Sequence, residues 1–270
     1  MRNFCLSILF IFQYITATSQ AIDCDFGNTV FKSDEKITYE ILYNWGVIWV
    51  SAGEANFTTE LIQQNKNPYY KFTGTGFTYP KYDWFYKVRD RFESICDTND
   101  LHPLRFVRDT KEGGNVNYSD NIFNRQRRTA YSFTRHKSNE IKRDSVRISD
   151  CTYDVLSMIY FARNIDFSKY KVNAKIPISL YLESEVYSLY IEYLGKEKLK
   201  TNLGEFNCIK FHPLLVEGTI FKAGDDMTVW VSDDKNRIPL YVETPVIVGT
   251  IKAKLKSYSG LKHPMTSKIK

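Results

Sequence analysis

The stretch Phe77–Arg108, FTYPKYDWFYKVRDRFESICDTNDLHPLRFVR, decides the fold. From Trp84 to Ser94 the even positions are Trp84, Tyr86, Val88, Asp90, Phe92 and Ser94, while the odd positions include Lys87, Arg89, Arg91 and Glu93. Alternation of period two separates an apolar face from a charged one and reads as a half-buried strand. Asp90 interrupts the apolar face, where an unpaired carboxylate is costly or takes up a proton, so it needs a partner. In the next strand, Pro103–Asp109, Leu104 and Phe106 share a face with Arg108. A three-residue loop of Thr98, Asn99 and Asp100 puts Arg108 opposite Asp90. The expectation is an inward Asp90–Arg108 pair.

Working outward, the same alternation predicts strands at Lys36–Leu42, Val47–Thr59 and Tyr69–Gly76 before the hairpin. Gly53, in mid-strand, marks a bulge or a close backbone approach. After the hairpin come Val116–Phe123, Arg125–Thr134 and Glu140–Ile148, joined by short polar turns that imply antiparallel neighbours. The period then changes. Residues 152–166 carry Val155, Ile159 and Ala162, flanked by Leu156 and Tyr160, at helical spacing, with Thr152 as the N-cap. Strands resume at Lys175–Glu183, Ser188–Leu194, Lys196–Thr201, Glu205–Leu215, Met227–Ser232, Pro239–Glu243 and Thr250–Tyr258. The fold class expected is mainly β: a long curved antiparallel sheet forming an open or partial barrel, with one covering α-helix.

Residues 1–19 have the layout of a signal peptide: basic Arg2, an apolar run from Phe4 to Ile15, and small residues at Ala17 and Ser19. The expected organisation is a signal at 1–19, a single β-rich domain at 20–262, divisible into two β subdomains joined by the helix, and a frayed tail at 263–270. Removing residues 1–19 takes away Arg2 alone, leaving 36 basic against 31 acidic residues, or +5. Without a basic module this mild excess argues against a nucleic-acid partner. No later segment has the length of apolar chain that a membrane span requires. Cys24, Cys96, Cys151 and Cys208 remain; four cysteines in an exported chain allow three disulfide connectivities.

Several segments together, FTGTGFTYPKYDWFYKVRDRFES, LHPLRFVRDTKEGG, DVLSMIYFAR, VWVSDDKNRIPLYVET and GTIKAKLKSY, resemble the exported bacterial domain-of-unknown-function family 3108 over about residues 30–258. The resemblance implies a protein of the bacterial periplasm or cell envelope built on a long antiparallel sheet, and brings no established activity. In overall style the fold is also similar to the periplasmic lipoprotein carriers, an analogy of fold alone.

Reaction chemistry is not legible. His102, His136, His212 and His263 are scattered without metal-ligand spacing, and no cofactor motif occurs. Ser157 lacks a nucleophile elbow, and the paired carboxylates sit in turns or on one strand. No catalytic, metal or cofactor residue is assigned. The candidate binding residues are Trp84, Tyr86, Asp90, Phe92, Phe106 and Arg108, an aromatic face punctuated by charge that suits a lipid or other amphiphile. Two alternatives stand beside it: a structural or assembly adaptor that meets an envelope protein through a face such as Lys252, Lys254 and Lys256, and a glycan-directed hydrolase.

Overall fold

The computed structural model describes residues 27–45, 48–136, 140–215, 227–246 and 249–269. Strands β1 (Lys36–Trp45), β2 (Ile48–Gln64) and β3 (Asn67–Thr78) form a meander, and a 3-10 turn at Pro80–Tyr82 leads to β4 (Val88–Asp97). The meander continues through β5 (Pro103–Glu112), β6 (Asn115–Asn124), β7 (Thr129–His136) and β8 (Ile141–Arg147). A short β9 (Thr152–Asp154) runs directly into α1 (Val155–Asn164). The chain returns as β10 (Lys175–Leu182), β11 (Glu185–Thr201), β12 (Gly204–Pro213), β13 (Thr228–Ser232), β14 (Pro239–Pro245) and β15 (Thr250–Ser259).

All fifteen strands among the described residues belong to one sheet, in the order β8-β7-β6-β5-β4-β3-β2-β1-β15-β14-β13-β12-β11-β10-β9. The first and last strands therefore pair with each other in its middle. Bulges explain where the sequence pattern breaks. The β1–β2 register shifts between Ile41 and Leu42, beside Gly53, where an added Cβ would stand 2.0 Å from the Phe77 carbonyl oxygen. That is the close approach expected of this glycine. The expected strands Ser188–Leu194 and Lys196–Thr201 are one strand, β11, with a register shift at Gly195, whose φ is +101°.

The expected fold class is corrected. Among the described residues the fold is mainly β with one α-helix, but the sheet is not a curved ribbon closing as an open or partial barrel: its ladder is linear, and no hydrogen-bonded pairing joins its terminal strands β8 and β9. Nor is it wholly antiparallel, because β9 and β10 pair in parallel. The space a barrel would enclose is filled by side chains. Tyr181 of β10 meets Phe123 of β6 edge to face at 5.1 Å and donates to Asn121 at 2.8 Å. Two stretches of sheet thus pack as layers, with α1 between them.

The helix is shorter than expected, and its N-cap is Asp154 rather than Thr152. The Asp154 carboxylate accepts from the backbone of Leu156 and Ser157, and Thr152 belongs to β9. Burial is not confined to the Val155–Ile159–Ala162 stripe; Leu156, Ser157, Met158, Tyr160, Phe161 and Arg163 are all buried. A helix held between layers hides most of its circumference. Tyr160 stacks on Phe72 at 3.7 Å, and Phe31 meets Tyr160 at 5.1 Å. Arg163 makes a bidentate ion pair with Glu35 at 2.6 and 2.9 Å, with side-chain exposures of 3% and 1%.

Residues 263–269 do not fray as expected. Ser267 donates to Asp234 at 2.8 Å, Asn207 donates to the Ser267 carbonyl at 2.9 Å, and Met265 packs on the core cluster of Ile37, Phe206 and Leu255. Cys151 is disulfide-bonded, whereas Cys96 and Cys208 are free, buried thiols. Cys24 and the expected signal peptide lie outside the described residues.

Candidate functional site

The six candidate residues lie on β4 and β5 and in the turn before β4, and they divide into three groups. Trp84 and Tyr86 precede β4, so the strand expected to start at Trp84 starts at Val88. The Asp83 carboxylate holds this segment in a turn: it accepts from Thr78 at 2.8 Å and binds Arg89 at 2.7 and 3.1 Å. Trp84, Phe85 and Tyr86 are consequently presented to solvent, 77%, 53% and 45% exposed. Phe92 and Phe106 stack at 6.4 Å and belong to the core, Phe106 being buried.

Asp90 and Arg108 share the inward face but do not form the expected pair. The register sets Phe92 opposite Arg108 and Asp90 opposite Thr110. The turn after β4 is longer than three residues, the Asp97 N–H donating to the His102 carbonyl, and the ladder shifts between Ile95 and Cys96. The result is a slip of two residues, which moves partners yet keeps faces. Arg108 instead pairs with Glu183 at 2.7 Å, from the β10–β11 turn, where Glu183 and Ser184 have φ of +51° and +67°.

Asp90 meets a second carboxyl that the sequence reading did not single out. Glu112 acts on it from the same face of the β4–β5 pair, and its Oδ1 accepts from the Lys111 backbone at 3.1 Å. Burial, then the Glu112 hydrogen bond and charge, push the Asp90 carboxyl up to about 7. The Tyr86 hydroxyl is raised by burial and then by the charges of Glu112 and Asp90, which puts Tyr86 at the same mouth. Its ring lies over Gly113, where an added Cβ would stand 2.4 Å away. Opposite Asp90, Thr110 is fully buried and its Oγ1 has no hydrogen-bond partner. Gly76, opposite Asp90, leaves open space on this face.

The opposite face is cationic. Arg89 and Lys111 are cross-strand partners there, and with Lys87 and Val116 they line an open cleft of about 370 Å³. A second cleft of about 310 Å³ shares Arg89 and Lys111 and reaches Gly76 and Asp90. Glu112 could have been found in the sequence, since it continues the inward parity of Arg108 and Thr110. Glu183 could not, because its approach depends on how the two layers stack.

Among the described residues, no group of three or more His, Cys, Asp or Glu side chains could hold a metal ion, and no helix is long and apolar enough to cross a membrane. His102 is buried in the β4–β5 turn, and its pKa is lowered by burial and by Arg125. Such a group is neutral at physiological pH.

A family model described as "Protein of unknown function (DUF3108)" matches residues 38–256. No curated protein matches. Among solved structures, the chain is similar to a β-barrel-like protein of domain of unknown function DUF1849 from Brucella abortus. The TM-score is 0.55 at 9% identity, over 85% of this chain and 98% of that one, a likeness of fold alone.

Proposed function

The chain belongs to the DUF3108 family, and from that premise we propose a non-catalytic, envelope-associated protein that binds anionic amphiphiles at the β3–β6 end of its sheet. The same reading has residues 1–19 removed on export, leaving one β-rich domain, with residues 263–269 docked on it, in the periplasm or cell envelope of a bacterium. One observation carries it: three consecutive exposed aromatics, Trp84, Phe85 and Tyr86, stand beside the cleft lined by Lys87, Arg89 and Lys111. Exposed aromatics favour an apolar–water boundary, and neighbouring cations attract anionic head groups. The Asp83–Arg89 clamp fixes the turn, so little ordering is needed on binding.

The rival readings are less well supported. Of the lysine face on β15, Lys252 lies 4.0 Å over the Trp49 ring and 3.6 Å from Glu243, and Lys256 pairs with Glu54. An adaptor surface would have to displace these partners. Retaining and inverting glycosidases hold their carboxyls about 5 Å or more apart, with substrate between them. Asp90 and Glu112 are near neighbours on one face of the β4–β5 pair, where Glu112 helps to raise the Asp90 pKa.

Sedimentation with lipid vesicles tests the proposal. The chain should pellet with phosphatidylglycerol-containing vesicles and less with pure phosphatidylcholine, in a salt-sensitive way. The double variant Trp84→Ala, Phe85→Ala should lose binding while keeping its melting temperature. Equal binding by that variant, or equal pelleting with both lipids, would refute the proposal.

A further inference from the structure

The cationic cleft holds more positive charge than its own partners cancel. Arg89 and Lys111 stand directly opposite each other on β4 and β5, where like charges repel and weaken the strand pair. Lys87 lines the same cleft, its carbonyl accepting from the Gly113 N–H at 3.0 Å. Arg89 is neutralised by Asp83, and its guanidinium also donates to the Thr78 and Val88 carbonyls at 3.1 and 2.6 Å. Lys87 and Lys111 are exposed, and neither forms an ion pair with a described residue. The adjoining cleft adds Arg91 and Asp109, cross-strand partners of opposite sign, so the excess stays with the two lysines. We propose that this cleft selects a dianionic phosphomonoester, so that the amphiphile bound there ends in a terminal phosphate rather than a phosphodiester. This inference rests on the amphiphile reading above and narrows its ligand.

Charge matching favours that chemistry. A phosphomonoester carries a charge of about −1.5 to −2 near neutral pH and presents three acceptor oxygens. A phosphodiester carries a single charge, which would leave one lysine uncompensated beside Arg89. Lysine ammoniums are compact cations on flexible stems, and here they approach from two elements, the turn before β4 and β5 itself. Arg89, tied down by Asp83 and two carbonyls, is the fixed wall between them. At about 370 Å³ the cleft falls within the usual range for small-molecule sites, about 300–1,000 Å³. Val116, the cross-strand neighbour of Lys111, is 38% exposed and gives the first carbons of the ester an apolar rim.

Vesicles matched in surface charge test this, with phosphatidic acid as the phosphomonoester and phosphatidylglycerol as the phosphodiester, each diluted in phosphatidylcholine at pH ~7.5, where the monoester is largely dianionic. The full chain should bind the phosphatidic acid vesicles several-fold more tightly. Lys87→Gln and Lys111→Gln should each reduce that binding by about fivefold and bring the two lipids closer together. Because Lys111→Gln relieves the repulsion with Arg89, its melting temperature should not fall. Calorimetric titration with sn-glycerol 3-phosphate and with dimethyl phosphate separates the sources. Tighter binding of glycerol 3-phosphate supports the site, and a further gain in affinity on phosphatidic acid vesicles assigns it to a lipid head group rather than a free phosphate ester. Equal binding of the two charged vesicles would overturn the inference and leave the amphiphile reading standing. Failure to pellet with either would overturn that reading, and the soluble pair would then decide the cleft alone. A preference for phosphatidic acid that survives in both lysine variants would also overturn it.

Discussion

Replacing one member of the buried Glu35–Arg163 pair tests what fastens α1 to the sheet. Both side chains are almost wholly enclosed, and the guanidinium also donates to the Asn236 carbonyl at 3.1 and 3.0 Å and lies 5.5 Å from the Phe31 and Tyr160 ring centres. Arg163→Met strips Glu35 of its partner while preserving most of the packing volume. Removing one partner of such a pair typically costs about 3–5 kcal/mol, because a charge is left buried and uncompensated. For a domain of this size that corresponds to a fall in Tm of about 6–20 °C, at roughly 2–4 °C per kcal/mol. Glu35→Gln should cost less, about 2 kcal/mol, since its amide oxygen can still accept from Arg163. The double variant Glu35→Leu, Arg163→Met removes both charges, and its cost should fall well short of the sum of the single replacements. Urea unfolding of all forms in one buffer supplies the cycle. Single costs below about 1 kcal/mol, or strict additivity, would refute the view that this pair pins the helix.

Asp90 predicts a pH effect on stability. Its folded-state pKa of about 7 lies above the ordinary 3.8, so its stabilising contribution is complete below about pH 4 and lost as pH rises through 7. After allowance for solvent screening the loss is roughly 1–2 kcal/mol, and Asp90→Asn should flatten the urea midpoint between pH ~5 and ~8. Gly53→Ala forces a Cβ against the Phe77 carbonyl and should destabilise by about 1–3 kcal/mol in the same assay. Truncation after Lys262 removes the hydrogen bonds of Ser267 to Asp234 and Asn207 and uncovers Phe206; it should lower Tm by several degrees, whereas a frayed tail would leave it unchanged.

Strand positions and faces were legible because side chains alternate with a period of two. Phe92, Ser94, Phe106 and Arg108 all point inward, as their parity requires. Partners were less legible. The Asp90–Arg108 expectation assumed a three-residue turn without a bulge, and a longer turn together with one register shift near Cys96 redirected both charges while leaving both inside. Glu35, between Asp34 and Lys36, reads as a solvated turn residue, and Arg163 as a last-turn cation suited to the helix dipole; only the layering of distant segments buries them together. Likewise, alternation showed a sheet but not its order, and side chains that fill the space between layers differ little in sequence from those that line an empty one.

The pairing of β1 with β15 joins residues more than 200 positions apart, such as Lys36 with Ser259. Each neighbouring hairpin on the β2–β8 side can zip locally as it emerges, but this central seam has to wait until nearly the whole polypeptide is present. Until then β1 and β15 expose unsatisfied edges, a state prone to mispairing with other chains. For a chain made N-terminus first, the last strand to emerge is the one that completes the sheet.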